Sequence, residues 1–451
     1  DAVKTRGEVY LPKLSGHSND EYKAYKKRAL YYNATGRTVD GLTGLVFRKE
    51  PAITAEGMDD ILDDVTLSGI SMRELAEKAV EEVITVARGG ILVDYPKVEE
   101  EGRELTIADI EQRGDRPYAT YYEAEQIINW ETGRVGNKTT LTKVVLRESY
   151  IERSGEDEFK REVKEQYRVL DLTDQGYRQR IFRKKEGGEW VSGEDIFPTM
   201  RGQQMNEIPF EFLGPREGSV EVQKSPIEDL VSVNLSHYRS MADLENGRHW
   251  CGAPTPVFLG NFITESGEDV TEVRLGSESG VHMDENSNAK FLEFEGKGLE
   301  ALENAAEQKE KMMAVLGARI LAQEKKMVEA AETAQIHRAG ESATLASVAR
   351  AVSKSLTRVL EWLRNWAGGS GEVSVELNTD FMPTTMDAQT LLALMQTWQS
   401  GGIAYSDFLH ALKQGEIVRD SRTEEEIQDE IDMSAPSFSV VPGGGSNANG
   451  E

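Results

Sequence analysis

Apolar and polar positions along the chain recur with two different periods, and the switches between them mark the elements. Residues 20–33 carry charged and aromatic side chains at helical spacing, and residues 71–88 set Leu75, Ala79, Val83 and Val86 on one helical face. Ser71 followed by Glu74 is the pattern in which side chains and backbone cap each other at a helix start. Gly89 and Gly90 read as the stop of that helix, and Ile91 to Val93 as a strand closed by Asp94, Tyr95 and Pro96. Segments 142–151, 165–171, 177–182 and 189–191 then alternate with period two between turn formers. That is the pattern of an antiparallel meander with one wet face.

At Ser225 and Pro226 the period changes. Leu230, Val233, Leu235, Tyr238, Met241 and Leu244 recur through 227–246, which predicts a long helix with Ser225 as N-cap, Pro226 in its first position and Gly247 at its end. Residues 251–298 turn β-prone and loop-rich, as a small inserted module would. Leu302, Ala305, Ala306, Lys309, Met312, Met313, Leu316 and Ile320 predict a second long helix over 299–322. After residues 323–333, which hold Lys325 and Lys326, a third helix is expected over 334–367. It carries Leu345, Val348, Val352, Leu356, Val359, Leu360 and Leu363 on one face and Arg350, Lys354 and Arg358 on another. Past the glycine break at 368–371 come a strand at 372–377 and helices at 387–399, 406–413 and 423–432. The Gly-, Ser- and Asn-rich end, 436–451, has little to bury and is expected to be disordered. The fold class expected is α+β.

Composition narrows the function. A chain of 451 residues exceeds a single simple core, so two to four structural regions are expected. No window approaches the roughly 18 apolar residues of a membrane span, so no membrane role is expected. The start lacks a basic segment followed by an apolar stretch, so secretion is not expected, and the missing initiator Met suggests a trimmed or processed chain. Cys251 is the single cysteine, which excludes an internal disulfide or a cysteine-based zinc site and fits a reducing cytoplasmic origin. A net charge of -27 argues against coating DNA, because phosphate binding needs clustered Lys and Arg. Acidity also suits a wall past which DNA must slide, although charge alone is explained as well by an ordinary acidic soluble protein.

Catalytic patterns are missing. There is no phosphate-cradling Gly-x-x-x-x-Gly-Lys-Ser/Thr loop, no His-Glu-x-x-His helix and no Gly-x-Ser-x-Gly elbow. The six histidines lack metal-ligand spacing; His237 and His249 flank a helix end and read as packing residues. Cys251 reads as a small buried hydrophobe. With 79 carboxylates, any acid and base pair would be arbitrary. No enzyme activity, cofactor or metal is expected.

Several stretches resemble the portal proteins of tailed bacteriophages and prophages. They are Ser225 to Leu230, Leu235 to Ser240, Gly317 to Leu321, Tyr32 to Val39 with Gly41 to Phe47, and Glu329 to Ala334. The resemblance runs from about residue 21 to 432, without any chemically diagnostic motif. It implies a wing at 1–224, a first stem helix at 225–250, a clip at 251–298 and a second stem helix at 299–322. A tunnel loop at 323–333, a long wing helix and wing strand at 334–383, a crown at 384–432 and a disordered tail at 433–451 complete it. It further implies a homo-oligomeric ring of about twelve at the capsid portal vertex of the virion, assembled in the bacterial host cytoplasm. Double-stranded DNA would pass through the channel without sequence specificity, and terminase, major capsid or scaffold proteins and head-tail adaptors would dock on the ring. Lys325 and Lys326 would touch DNA phosphates in the channel or would be two solvated loop lysines; both readings stay open. The stripe of Arg350, Lys354 and Arg358 is read as a salt-bridging face toward a neighbouring subunit, with a DNA-facing stripe as the alternative. The competing readings are a non-portal minor capsid or adaptor protein and, third, a hydrolase with a pocket in the α+β region.

Overall fold

The computed structural model describes residues 2–96, 115–153, 161–185, 187–218, 220–252, 255–259, 288–292, 297–317, 331–381, 388–414, 417–418 and 426–427. The fold is α+β, as expected, and divides into two compact units, residues 1–377 and 378–451.

The first unit opens with α1 (Ala2–Thr5), α2 (Asn19–Arg28) and α3 (Ala34–Val46). Ser18 and Glu21 cap α2 reciprocally, with Ser18 N donating to Glu21 Oε2 at 2.7 Å and Glu21 N donating to Ser18 Oγ at 3.3 Å. The helix expected over 20–33 ends at Arg28, because Ala29 turns extended and buries itself in the core. Asn33 instead caps α3, accepting a hydrogen bond from Gly36 N at 3.0 Å. No helix was expected there.

β1 (Ala52–Ala55) and α4 (Asp59–Asp63) lead to α5 (Met72–Thr85), where the Ser71–Glu74 capping box forms. Leu75, Ala79 and Val83 are buried, but Val86 closes the helix 40% exposed. The two glycines are not its stop. Both lie inside β2 (Gly89–Asp94), and the reason is lateral. A Cβ on Gly90 would stand 2.2 Å from Phe210 Cζ, so this strand passes where only bare backbone fits.

Strands β3 (Tyr118–Glu123), β4 (Ile127–Val135), β5 (Lys138–Arg153), β6 (Arg161–Thr173), β7 (Gly176–Lys184) and β8 (Trp190–Ser192) follow. The short β9 (Thr199–Met200), β10 (Gln203–Gln204) and β11 (Phe210–Leu213) come after them. β4 to β8 form a five-stranded antiparallel meander in chain order, one strand more than the period-two segments. β4 escaped notice because register shifts at Ile127/Asn129 and Glu131/Thr132 break its alternation. β2 lies between β11 and β3 in a three-stranded sheet and is buried along its whole length. Leu92, Tyr122 and Phe210 of this sheet pack against Val144, Leu146, Leu170 and Tyr177 of the meander. The opposite face of the meander carries the exposed Arg147, Ser149 and Glu165, the expected wet side.

Next come α6 (Glu228–Gly252), β12 (Thr255–Leu259), β13 (Asn288–Leu292), α7 (Lys297–Leu316), α8 (Ala331–Trp366) and β14 (Val373–Glu376). Residues 331–333, assigned to a loop by the sequence, are the first turn of α8. Its apolar stripe from Leu345 to Leu363 is buried as expected, and the helix packs on α5, β2 and β11. β14 pairs antiparallel with β1, Ala52 opposite Glu376. The second unit holds α9 (Ala388–Gln399) and α10 (Tyr405–Gln414), with Trp398 stacked on Phe408 at 4.7 Å. The helix expected at 423–432, apart from 426–427, and the tail at 433–451 lie outside the described residues.

Candidate functional site

Helices α6 and α7 of the first unit pack against each other. Their contacts run in opposite directions, Arg248 to Glu303, Lys309 to Ser236 and His237 to Glu310, so the pair is antiparallel. β12 and β13 pair antiparallel between them, Thr255 opposite Leu292. α6 runs through Gly247, the expected stop, to Gly252. A Cβ there would lie 2.6 Å from Leu299 Cδ2, so the glycine serves the approach of two helices and not a helix end. At the start of α6, Pro226 and Ile227 sit in a turn that Ser225 caps by accepting from Ile227 N at 3.2 Å. Cys251 falls in the last turn, half-buried and not core as expected. The expected continuation of α7 through 318–322 lies outside the described residues.

The rest of α6 is bonded into the first unit. Tyr25 Oη donates to Asp243 at 2.6 Å, Arg28 to Asn246 at 3.0 Å, and Arg239 Nε to Tyr10 O at 2.9 Å. Asn234 accepts from Thr35 N and Oγ1 and donates to Tyr32 O at 2.8 Å. His237 is buried with Nε2 3.2 Å from Glu310 Oε1, while its Nδ1 has no partner among the described residues. His249 is exposed beside Trp250. Neither histidine joins a cluster: among the described residues no group of three His, Cys, Asp or Glu is placed to hold a metal ion.

Two residues of the basic stripe on α8, Lys354 and Arg358, meet carboxylates of their own chain. Lys354 Nζ meets Glu217 at 2.8 Å, and Arg358 meets Glu207 at 2.8 Å and Glu361 at 3.0 Å. Trp362 Nε1 donates to the other oxygen of Glu207. Beneath them Glu211 on β11 accepts from Ser355 Oγ at 3.2 Å, and burial pushes its pKa up to about 7.

The sequence did not reveal the buried charges between the two sheets. Arg168 Nε donates to Glu148 at 2.7 Å and its Nη1 to Gln179 at 2.8 Å, while Gln179 donates to Asp94 at 3.0 Å. Tyr122 and Gln166 donate to the two oxygens of Glu148 at 2.6 and 2.7 Å. Burial raises the Asp94 pKa; it acts against Glu148 too, but the Arg168 charge and hydrogen bonds hold that group below its ordinary value. Spent on one another, these groups clamp the sheets. Arg88 is a second buried cation, with Nη1 on Val220 O at 2.9 Å and the guanidinium 3.8 Å from the Phe212 ring centre; burial pulls its pKa down to about 10. A cavity of about 120 Å³ among Thr38, Leu42, Ile84, Ile227, Leu345 and Val348 holds no titratable lining group.

Lys325 and Lys326 lie outside the described residues. No described helix is long and apolar enough to cross a membrane. A family described as a domain of unknown function, DUF4055, matches residues 226–367. No curated protein matches the chain. A chain in the neck of a native GTA particle, computed with C12 symmetry, is 10% identical, with 91% of this chain and 98% of that one covered at a TM-score of 0.39. A chain of the virion of a native gene transfer agent particle is 10% identical, with 90% and 95% covered at 0.37. A chain in the neck of an empty GTA particle, computed with C6 symmetry, is 12% identical, with 88% and 95% covered at 0.37.

Proposed function

We propose that this chain is a structural component of a phage-like head-tail junction, and specifically a portal subunit. The observation that carries the reading is the antiparallel pair α6 and α7 with the β12–β13 hairpin set between them, rooted by α2 and α3 in an α+β body that α8 crosses. That is the stem, clip and wing order implied by the resemblance. An α6 of 25 residues is about 37 Å long, a length suited to a channel wall.

In this reading about twelve copies close a ring around double-stranded DNA. Such a ring would carry roughly -300 charges, screened over about 10 Å. α7 exposes Glu300, Glu303, Glu307 and Glu310, and an acidic wall lets a phosphate backbone slide without adhering. Lys325 and Lys326 would supply phosphate contacts without base readout. The hairpin end would receive terminase during packaging and adaptors afterwards, and the chain would act without catalysis at the capsid vertex.

Cryo-electron microscopy of the full chain, with mass photometry to count subunits, tests the reading. Rings of about twelve with an axial hole wide enough for duplex DNA are expected. Monomers or dimers at every concentration and salt would overturn it in favour of a minor capsid or adaptor protein.

A further inference from the structure

We propose that the projecting end of the β5–β6 hairpin is a contact arm for a second copy of this chain. β5 pairs with β4 only as far as Leu146, and β6 pairs with β7 only from Gln166 onward. Residues 147–153 and 161–165 continue past both neighbours, paired with each other through Ser149 and Glu165, Ile151 and Val163, and Arg153 and Arg161. At about 3.4 Å per residue the arm extends roughly 20 Å. No strand among the described residues pairs with either outer edge. A two-stranded ribbon without a covering layer is marginal in water, and its open edges offer main-chain groups for pairing.

The side chains say what covers it. Ile151 is 51% exposed and Val163, directly opposite, 58% exposed, an apolar pair on the described ribbon beyond both neighbouring strands. At its root a groove of about 610 Å³ opens between Arg147, Ser149 and Val163 on one side and Arg6, Glu123, Glu125 and Gln126 on the other. An open strand edge is satisfied by another strand edge, and every copy brings the same two. Charge points the same way. The chain carries -27, so two copies repel over most of their surfaces. The paired residues of the arm are balanced, with Arg147, Arg153, Arg161 and Lys164 against Glu148, Glu152, Glu162 and Glu165, while the sequence joining them adds Glu156, Asp157 and Glu158 against Lys160. Arg147 pairs with Glu165 at 3.8 Å and Lys164 with Glu152 inside the ribbon. The paired strands of the arm therefore bring no net charge of their own to another copy, and they lack the basic excess that nucleic acid would require.

The inference rests on the proposed assembly only for the presence of neighbouring copies. The test is hydrogen exchange of the full chain across a concentration series, with mass photometry on the same samples, for the parent and for I151K/V163K. The milder I151T/V163T variant keeps strand propensity and controls for folding. Expected are slowed exchange of the amides of 147–153 and 161–165 on assembly, and an association about tenfold or more weaker in both variants at unchanged thermal midpoint. Rings whose arm amides exchange as fast as in the dilute chain would overturn the arm and leave the portal reading standing. Dimers with protected arms would support the arm and remove the ring. A chain monomeric at every concentration would overturn both.

Discussion

Replacing Glu211 by Gln should make stability less dependent on pH, in a direction that the structure dictates. Glu211 sits on β11 beneath α8, where burial raises its pKa from the ordinary 4.5 to about 7; Ser355, Arg358 and Lys354 oppose the rise and Glu361 adds to it. The folded state thus holds the proton more tightly than the unfolded chain. Its contribution is fully favourable below pH 4.5, is lost as pH rises toward about 7, and leaves a cost above. The gap between 4.5 and about 7 corresponds to a cost of about 3 kcal/mol once the carboxylate is ionised. Glutamine keeps the shape and still accepts from Ser355, without a charge to bury. Urea unfolding of parent and E211Q at pH 5 and pH 8, followed by tryptophan fluorescence, isolates this group, because all other titrations cancel in the difference. The two proteins should be nearly equal at pH 5, and E211Q should gain up to about 3 kcal/mol at pH 8. The same difference at both pH values, or a loss at pH 8, would refute the reasoning.

Gly90→Ala should cost about 1–3 kcal/mol and lower the thermal midpoint, because the buried Phe210 ring must move to admit a Cβ 2.2 Å from Cζ. Arg168→Met should cost about 3–5 kcal/mol in urea unfolding by leaving Glu148 and Asp94 without their cation, with a smaller loss at pH 5 where the carboxylates take up protons. Lys354→Ala should leave the urea midpoint nearly unchanged, because the pair is solvent-exposed, and leave the mass distribution by mass photometry unchanged, since its partner Glu217 belongs to the same chain. A lost oligomer in that variant would instead support the inter-subunit reading of the stripe.

Much of the local structure was legible. The Ser71–Glu74 capping box, the period-two segments of β5 to β8 and the seven apolar positions of α8 all appear where the pattern put them. Each is decided within a few residues by backbone caps or by one buried face. The long helices of the candidate stem were legible for the same reason, but not their ends. Gly247 reads as a stop in isolation and is a point of close approach to Leu299 in the fold. Gly89 and Gly90 likewise look like a terminator and are strand positions under Tyr121 and Phe210.

What the sequence alone determined was the α+β class, the order of the long helices with a β-prone module inserted between two of them, and the acidity of the chain. Periodicity and charge depend on neighbours only a few positions away. What only the tertiary structure decided was partnership across distance: β1 with β14, Arg168 with Glu148 and Asp94, Lys354 with Glu217, and residues 147–153 and 161–165 of the β5–β6 ribbon without a further strand partner among the described residues. A charged residue in an alternating strand has the same local signature whether its face meets water or another sheet. Packing resolves that choice by burying Asp94, Glu148 and Arg168 together, where each satisfies what burial would otherwise leave unpaired.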